Sequence, residues 1–199
     1  MTGEATEVFG PIKVVLADAN VLYSRVLRDC LVYAADEGVI AIRWSRAILT
    51  EAVEPLQANN LRFDDGQADL LIRLFNAAYP HAEVRPTATA RRKVNKLEMP
   101  DEDDRHVLAA AVSARAEVLC TNNVKDFPPD AMASVGIELL TPDVLLSRLV
   151  TMHPSGVRDA HRTTVASLIG ATDESTIAAL RRVKATQTAD LMEALLKKS

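Results

Sequence analysis

Three acidic residues stand at the ends of predicted elements and a fourth lies about two turns into a predicted helix, and their carboxylates could act together. They are Asp18, Glu51, Asp104 and Asp126. Crowded carboxylates repel one another unless cations neutralise them. Oxygen ligands of this kind suit Mg²⁺ or Mn²⁺, which can activate a water molecule for attack on a phosphodiester. The pattern predicts metal-assisted hydrolysis in which these residues serve as metal ligands and catalytic groups.

Each acid also has an ordinary structural interpretation. Asp18 could cap a helix, Glu51 could be a solvated helix residue, and Asp126 could cap a turn. Residues 101–104 could simply complement the positive end of a helix dipole. The individual signals are weak, and their combination in this order carries the prediction.

Neighbouring polar residues could support the acids. Asn20 and Thr121 could hydrogen-bond a carboxylate and fix its orientation, as outer-shell partners of metal ligands do. His106 follows Asp104 by two residues, which is about 200° around a helix. We therefore expect His106 to face away from that acid and do not assign it as a base.

A cluster of basic side chains precedes the acidic run. It could receive RNA phosphates, which supplies affinity without sequence information, or it could be a solvated loop. Its members are Arg91, Arg92, Lys93 and Lys96.

The predicted elements alternate between strands and helices. β-branched or apolar runs predict strands at 12–16, 39–44, 82–86, 117–121 and 137–140. Helical spacing predicts helices at 21–35, 46–58, 63–78, 101–115 and 142–150, with Gly38 and Ser45 as end signals. Residues 87–99 predict a basic loop that could hold a turn of helix. This order predicts an α/β fold with a central parallel sheet and helices on both faces. Sites in such sheets form beyond the carboxyl ends of the strands, where Asp18 and the 122–126 loop lie.

The pattern changes after Val150. Residues 152–156 predict a linker, and 157–169, 175–184 and 186–196 predict three short helices without strands. We therefore expect a domain over 12–150 and a small all-helical appendage over 151–199. Residues 1–11 predict a lead-in without the pattern of a signal peptide.

Composition limits the classes of function. The 199 residues carry a net charge of −4, which argues against a passive nucleic-acid binder. The two cysteines and four histidines show no metal-binding spacing and no disulfide scaffold. No run approaches the roughly 18 apolar residues of a membrane span. We expect a cytoplasmic protein without a membrane partner.

The motifs resemble those of the PIN-domain ribonucleases, in particular VapC-type toxins of bacterial toxin–antitoxin pairs. The resemblance covers about residues 12–150. It rests on the strand and acid at 14–22, the helix with Glu51, the run 100–111, and the strand and loop at 117–128. It implies a PIN-like α/β/α sandwich whose acids are Asp18, Glu51, Asp104 and Asp126. The appendage resembles the C-terminal extension of some of these toxins.

The resemblance also implies an activity and partners. These are metal-dependent endoribonuclease action on tRNA, rRNA or mRNA by metal-activated water, inhibition by a cognate antitoxin, and a homodimer. Many members carry an acid where this chain has Asn123. Asn123 could still assist with a cation, and Asp126 could supply the charge.

Two alternatives stay open at this point. Asn123 motivates a PIN-like scaffold that binds RNA or protein without cleaving it. A remoter possibility is a phosphatase or receiver domain that uses Asp18 as a nucleophile or phosphate acceptor. The phosphatase would need a second Asp two residues on, where Asn20 stands.

Overall fold

A computed structural model describes residues 12–59 and 64–197. Its four strands are β1 (Val14–Ala17), β2 (Ala41–Arg43), β3 (Val118–Cys120) and β4 (Glu138–Leu140). The first eight helices are α1 (Ala19–Tyr23), α2 (Arg25–Asp36), α3 (Arg46–Asn59), α4 (Asp65–Ala78), α5 (Ala88–Val94), α6 (Arg105–Ala114), α7 (Pro129–Val135) and α8 (Pro142–Met152). The last three are α9 (Pro154–Ala166), α10 (Asp173–Arg182) and α11 (Thr186–Leu196).

The strands form one parallel sheet in the order β2-β1-β3-β4. Val15 pairs with Val118 and Ala17 with Cys120, so β1 and β3 end side by side. Both strands are almost fully buried because helices cover the two faces, as their short apolar sequences predict. The α/β fold with a central parallel sheet is confirmed, and the polar residues that follow β1 and β3 meet at one edge.

The end signals of two predicted helices are confirmed. Gly38 adopts a positive φ of 68° just after α2, which a glycine allows without a steric penalty. The Ser45 hydroxyl accepts the backbone N–H of Ile48 and caps α3.

Four predictions about local structure are wrong. The helix predicted over 21–35 is two helices, because Ser24 adopts extended backbone between them. Instead of a strand at 82–86, only Glu83 forms a bridge, to Trp44. The basic segment 87–99 holds the seven-residue helix α5, capped by Thr87, which is longer than the single turn of helix expected within a loop. The acidic run precedes α6 rather than forming its first turn.

The polar loop after β3 also holds more structure than expected. Residues Val124–Asp126 form a 3₁₀ helix, and α7 follows with Pro129 at its start. The predicted lead-in over 1–11, and the predicted helix start at Phe63, lie outside the described residues.

The predicted linker over 152–156 is wrong, since only His153 separates α8 from α9. The three C-terminal helices are confirmed, and they pack on the sheet-bearing part of the chain. Helix α11 lies against α8, and α9 lies against α2. Leu180, Ala189 and Met192 belong to the same buried cluster as Leu149. None of the described helices has the length and hydropathy to cross a membrane.

Candidate active site

Asp18 is held rigidly at the carboxyl end of β1. Its backbone N–H donates to the carbonyl of Cys120 on β3, and its side chain is buried with 4% of its surface exposed. The Oδ1 atom accepts the N–H of Ala19 at 2.7 Å, and so caps α1. Burial raises the pKa of Asp18, while the hydrogen bond from Thr121 opposes the rise.

Asn20 and Thr121 both contact the second oxygen of Asp18. Asn20 Nδ2 donates to Asp18 Oδ2 at 2.6 Å, and Thr121 Oγ1 donates to the same oxygen at 2.7 Å. Thr121 is fully buried, and its Oγ1 also accepts the N–H of Asn123 at 2.9 Å. Asn20 Oδ1 accepts the N–H of Asn122 at 3.0 Å. The network ties the segment after β1 to the segment after β3 and fixes the orientation of the Asp18 carboxylate.

Asp104 lies just before α6 and carries an unpartnered oxygen. Its Oδ2 is buried and has no hydrogen-bond partner among the described residues. Burial, together with the negative charges of Asp18 and Asp126, raises the pKa of Asp104 to about 6. The structure thus brings Asp18 and Asp126 close enough to Asp104 to repel its charged form.

Glu51 contacts His106, which lies next to Asp18 and Asp104. Glu51 Oε1 lies 2.7 Å from His106 Nε2, and the charge of Glu51 also raises the pKa of Asp18. The hydrogen bond with Glu51 raises the pKa of His106, although its partial burial works against the rise. His106 Nδ1 is buried and has no hydrogen-bond partner within 12–59 and 64–197.

His106 was expected to face away from Asp104 and was left out of the site, whereas it contacts Glu51, and the charges of Asp18 and Asp104 also raise its pKa. The angular rule of about 100° per residue holds only inside a helix, and Asp104 precedes α6. Side chains in the first turn also lean toward the helix N-terminus. Sequence reasoning therefore missed a residue that joins Glu51 to the acidic group; its position just past the acidic run was the available signal.

The acidic side chains brought together here have the chemistry of ligands for a divalent cation. They offer carboxylate oxygens, and one of these, Asp104 Oδ2, is buried without a hydrogen-bond partner among the described residues. No set of three His, Cys, Asp or Glu side chains within the described residues is already arranged around a common point. Mg²⁺ usually keeps several waters and binds one or two carboxylates together with substrate phosphates, so it does not need such a set.

A cleft of about 920 Å³ adjoins this group. His106 forms part of its wall, and the remaining wall comes from the start of α3, from residues 83–86 and from the facing sides of α5 and α6. The four predicted RNA-binding residues differ in their position relative to this cleft. Arg91 lines the cleft, whereas Arg92, Lys93 and Lys96 are exposed but do not line it.

Comparison with known proteins decides the family. The model of the PIN domain matches residues 14–125, which is more than half of the chain. The chain belongs to the PIN-domain family. The resemblance expected from the sequence is confirmed, and the match spans Asp18, Glu51 and Asp104, whereas Asp126 lies one residue beyond it.

Part of this chain is also similar to a curated relative. The chain is 58% identical over 43 residues to the candidate ribonuclease VapC50 of Mycobacterium tuberculosis. That alignment covers 22% of this chain and 25% of the relative, so the chain spans about a quarter of that protein. No solved structure matches the chain significantly.

Proposed function

We propose that this PIN-domain protein is a Mg²⁺- or Mn²⁺-dependent endoribonuclease. The observation that carries the proposal is the buried Oδ2 of Asp104, which has no hydrogen-bond partner in the described part of the chain and lies near the carboxylates of Asp18 and Asp126. A protein gains nothing in stability from such repulsion, and a bound cation would relieve it. The likeness to a candidate ribonuclease supports RNA as the substrate.

The residues divide into three roles in this proposal. Asp18, Asp104 and Asp126 would hold the cation, with Asn123 assisting and Glu51 binding it or orienting the attacking water. Asn20 and Thr121 would keep the Asp18 carboxylate in place through the hydrogen bonds that they donate to Oδ2. When bound, the ion would supply Lewis-acid stabilisation of the phosphodiester and activation of water. Asp104 is poised to give up a proton near neutral pH as the site is filled.

The sequence resemblance to VapC-type toxins motivates three finer proposals. A cognate antitoxin would inhibit the protein, two copies would form a homodimer, and the enzyme would act on cellular RNA in the cytoplasm. Light scattering after size-exclusion chromatography tests the homodimer. Addition of the purified antitoxin to the RNA cleavage reaction tests the partner, because cleavage should then be inhibited.

The scaffold alternative is not favoured, because the acids are retained and brought together. The aspartyl-nucleophile alternative is not favoured, because the phosphatase would need a second Asp two residues after Asp18. Asn20 stands there and donates a hydrogen bond to Asp18 Oδ2.

The test is cleavage of total bacterial RNA by the purified protein in Mg²⁺, in Mn²⁺ and in EDTA. Asp18→Asn and Asp104→Asn should each lower cleavage at least a hundredfold, because each removes a charge from the proposed cation site. Glu54→Gln is the matched control, since Glu54 is an exposed acid on the same helix as Glu51. Full activity of either Asn variant, with circular dichroism showing a native fold, would disprove the assignment.

A further inference from the structure

Among the described residues, the cleft beside His106 concentrates arginine side chains. Four arginines from four segments line it, namely Arg46, Arg85, Arg91 and Arg105. Three acidic residues line it too, namely Glu83, Glu102 and Asp103, and Glu102 pairs with Arg105. Arginines thus outnumber acidic residues in the wall of the cleft, although the whole chain is acidic.

The four arginines differ in what they already bind. Arg105 donates to the carbonyls of Val94 and Leu97 at 2.9 and 3.0 Å, which fastens the end of α5 to α6. Arg46 pairs with Asp69 at 2.9 Å. Arg85 and Arg91 are exposed and make no ion pair with any residue that the structure describes. These two guanidinium groups are available for an anionic ligand.

The position of the cleft indicates which anion this is. His106 belongs both to its wall and to the contact with Glu51, so the cleft borders the proposed cleavage site. An RNA strand cleaved there must continue beyond the scissile phosphate. Guanidinium groups bind phosphate oxygens with two parallel hydrogen bonds, which suits a strand held by its backbone.

We propose, resting on the ribonuclease function proposed above, that Arg85 and Arg91 bind backbone phosphates of single-stranded RNA beside the cleavage site. Arg92 and Lys93 lie on the same helix as Arg91 but outside the cleft, and they do not contact the strand. The sequence led us to expect that the whole basic cluster binds RNA. The present proposal keeps only Arg91 from that cluster. It also adds Arg85, which the sequence pattern did not indicate.

The test is the salt dependence of binding to fluorescein-labelled oligouridylate. The full chain carries Asp18→Asn in every arm and EDTA is present, so binding is measured without cleavage. Arg85→Gln with Arg91→Gln should weaken binding about tenfold and lower the slope of log K against log salt by about 1.4, since each single-strand phosphate contact contributes about 0.7. The matched control, Arg92→Gln with Lys93→Gln, removes the same charge from exposed positions and should leave the slope unchanged.

A charge-retaining pair, Arg85→Lys with Arg91→Lys, guards against a folding defect and should keep most of the slope. Equal losses in the two Gln pairs would overturn the inference, because they would show a long-range effect of charge. An unchanged slope in the variant with Arg85→Gln and Arg91→Gln would also overturn the inference. So would the absence of RNA binding by the parent protein. Cleavage of total RNA by the unmodified protein tests the proposed activity separately, so the two failures are distinguishable.

Discussion

Glu51 Oε1 on α3 lies 2.7 Å from His106 Nε2 in the first turn of α6. The contact joins α3 to α6, two helices that α4 and α5 separate in the sequence. It holds the Glu51 carboxylate near Asp18 and Asp104. A long, half-exposed glutamate would otherwise sample several rotamers. The imidazole restricts it to one position near the acids.

The first prediction concerns this contact. His106→Leu should lower kcat for RNA cleavage about ten- to hundredfold, because a displaced carboxylate no longer aligns the reacting groups. His106→Gln keeps a side-chain N–H near the position of Nε2 and should recover much of the loss. Single-turnover cleavage at saturating protein separates this effect from weaker RNA binding. Equal activity of the Leu and Gln variants would contradict the positioning role.

The second prediction concerns pH in the absence of metal. Folding raises the pKa of Asp104 from 3.8 to about 6, so between these values the folded protein binds more protons than the unfolded chain. The free energy of unfolding must therefore fall as pH rises through that range. Asp104→Asn removes this dependence. In EDTA, the variant should be about 1 kcal/mol more stable than the parent at neutral pH, after allowance for solvent screening, and the advantage should vanish toward pH 4.

Urea unfolding at several pH values measures this difference, and saturating Mg²⁺ supplies the control. A cation that binds the folded site should stabilise the parent and remove the advantage of Asp104→Asn. A variant that is no more stable than the parent at neutral pH in EDTA would show that Asp104 is not strained by its neighbours.

The third prediction concerns Thr121, whose hydroxyl donates to the buried Asp18. Thr121→Val keeps the shape but removes this donor, which should cost about 1–3 kcal/mol of unfolding free energy at neutral pH. It should also raise the pKa of Asp18 further, since the Thr121 hydrogen bond lowers it. Thr121→Ser retains the hydroxyl and serves as the control. Equal stability of the Val and Ser variants in urea would refute the role of this hydrogen bond.

The sheet and its polar edge were predictable because the signals are local. Val14, Val15 and Leu16 form a short apolar run followed at once by Asp18, and the chain direction of parallel strands then fixes the edge. The helix α5 was not predictable from periodicity. Only Ala90 and Val94 of its seven residues are buried, so its apolar pattern is too sparse to distinguish it from a loop.

The contact between Glu51 and His106 was out of reach for a different reason. It depends on how α3 and α6 pack across the chain segment that separates them, which no local spacing encodes. The same holds for the start of α11, where Ala185 provides no side-chain cap. Its cap comes from Asp143, which lies more than forty residues earlier on α8.

The last prediction concerns this junction between the C-terminal helices and the rest of the chain. The Asp143 carboxylate accepts the N–H groups of Gln187 and Thr188 at 3.1 and 2.8 Å, and the Thr188 hydroxyl at 2.8 Å. Asp143→Ala should therefore cost about 1–2 kcal/mol of unfolding free energy, the range of a lost helix cap. Gln187→Ala, at an exposed neighbouring position that keeps its backbone N–H, should cost much less.

Deletion of residues 151–199 should have a larger effect, because it uncovers Leu149 and the face of α2 that α9 covers. The close fit shows at Gly156, where an added Cβ would lie 2.6 Å from Val39 Cγ2. The truncated chain should bind a hydrophobic dye and unfold without a cooperative transition in urea, whereas the full chain unfolds cooperatively. A truncated protein with an unchanged unfolding midpoint would instead show that residues 151–199 are an independent appendage, and then Asp143→Ala should leave the stability of the rest untouched.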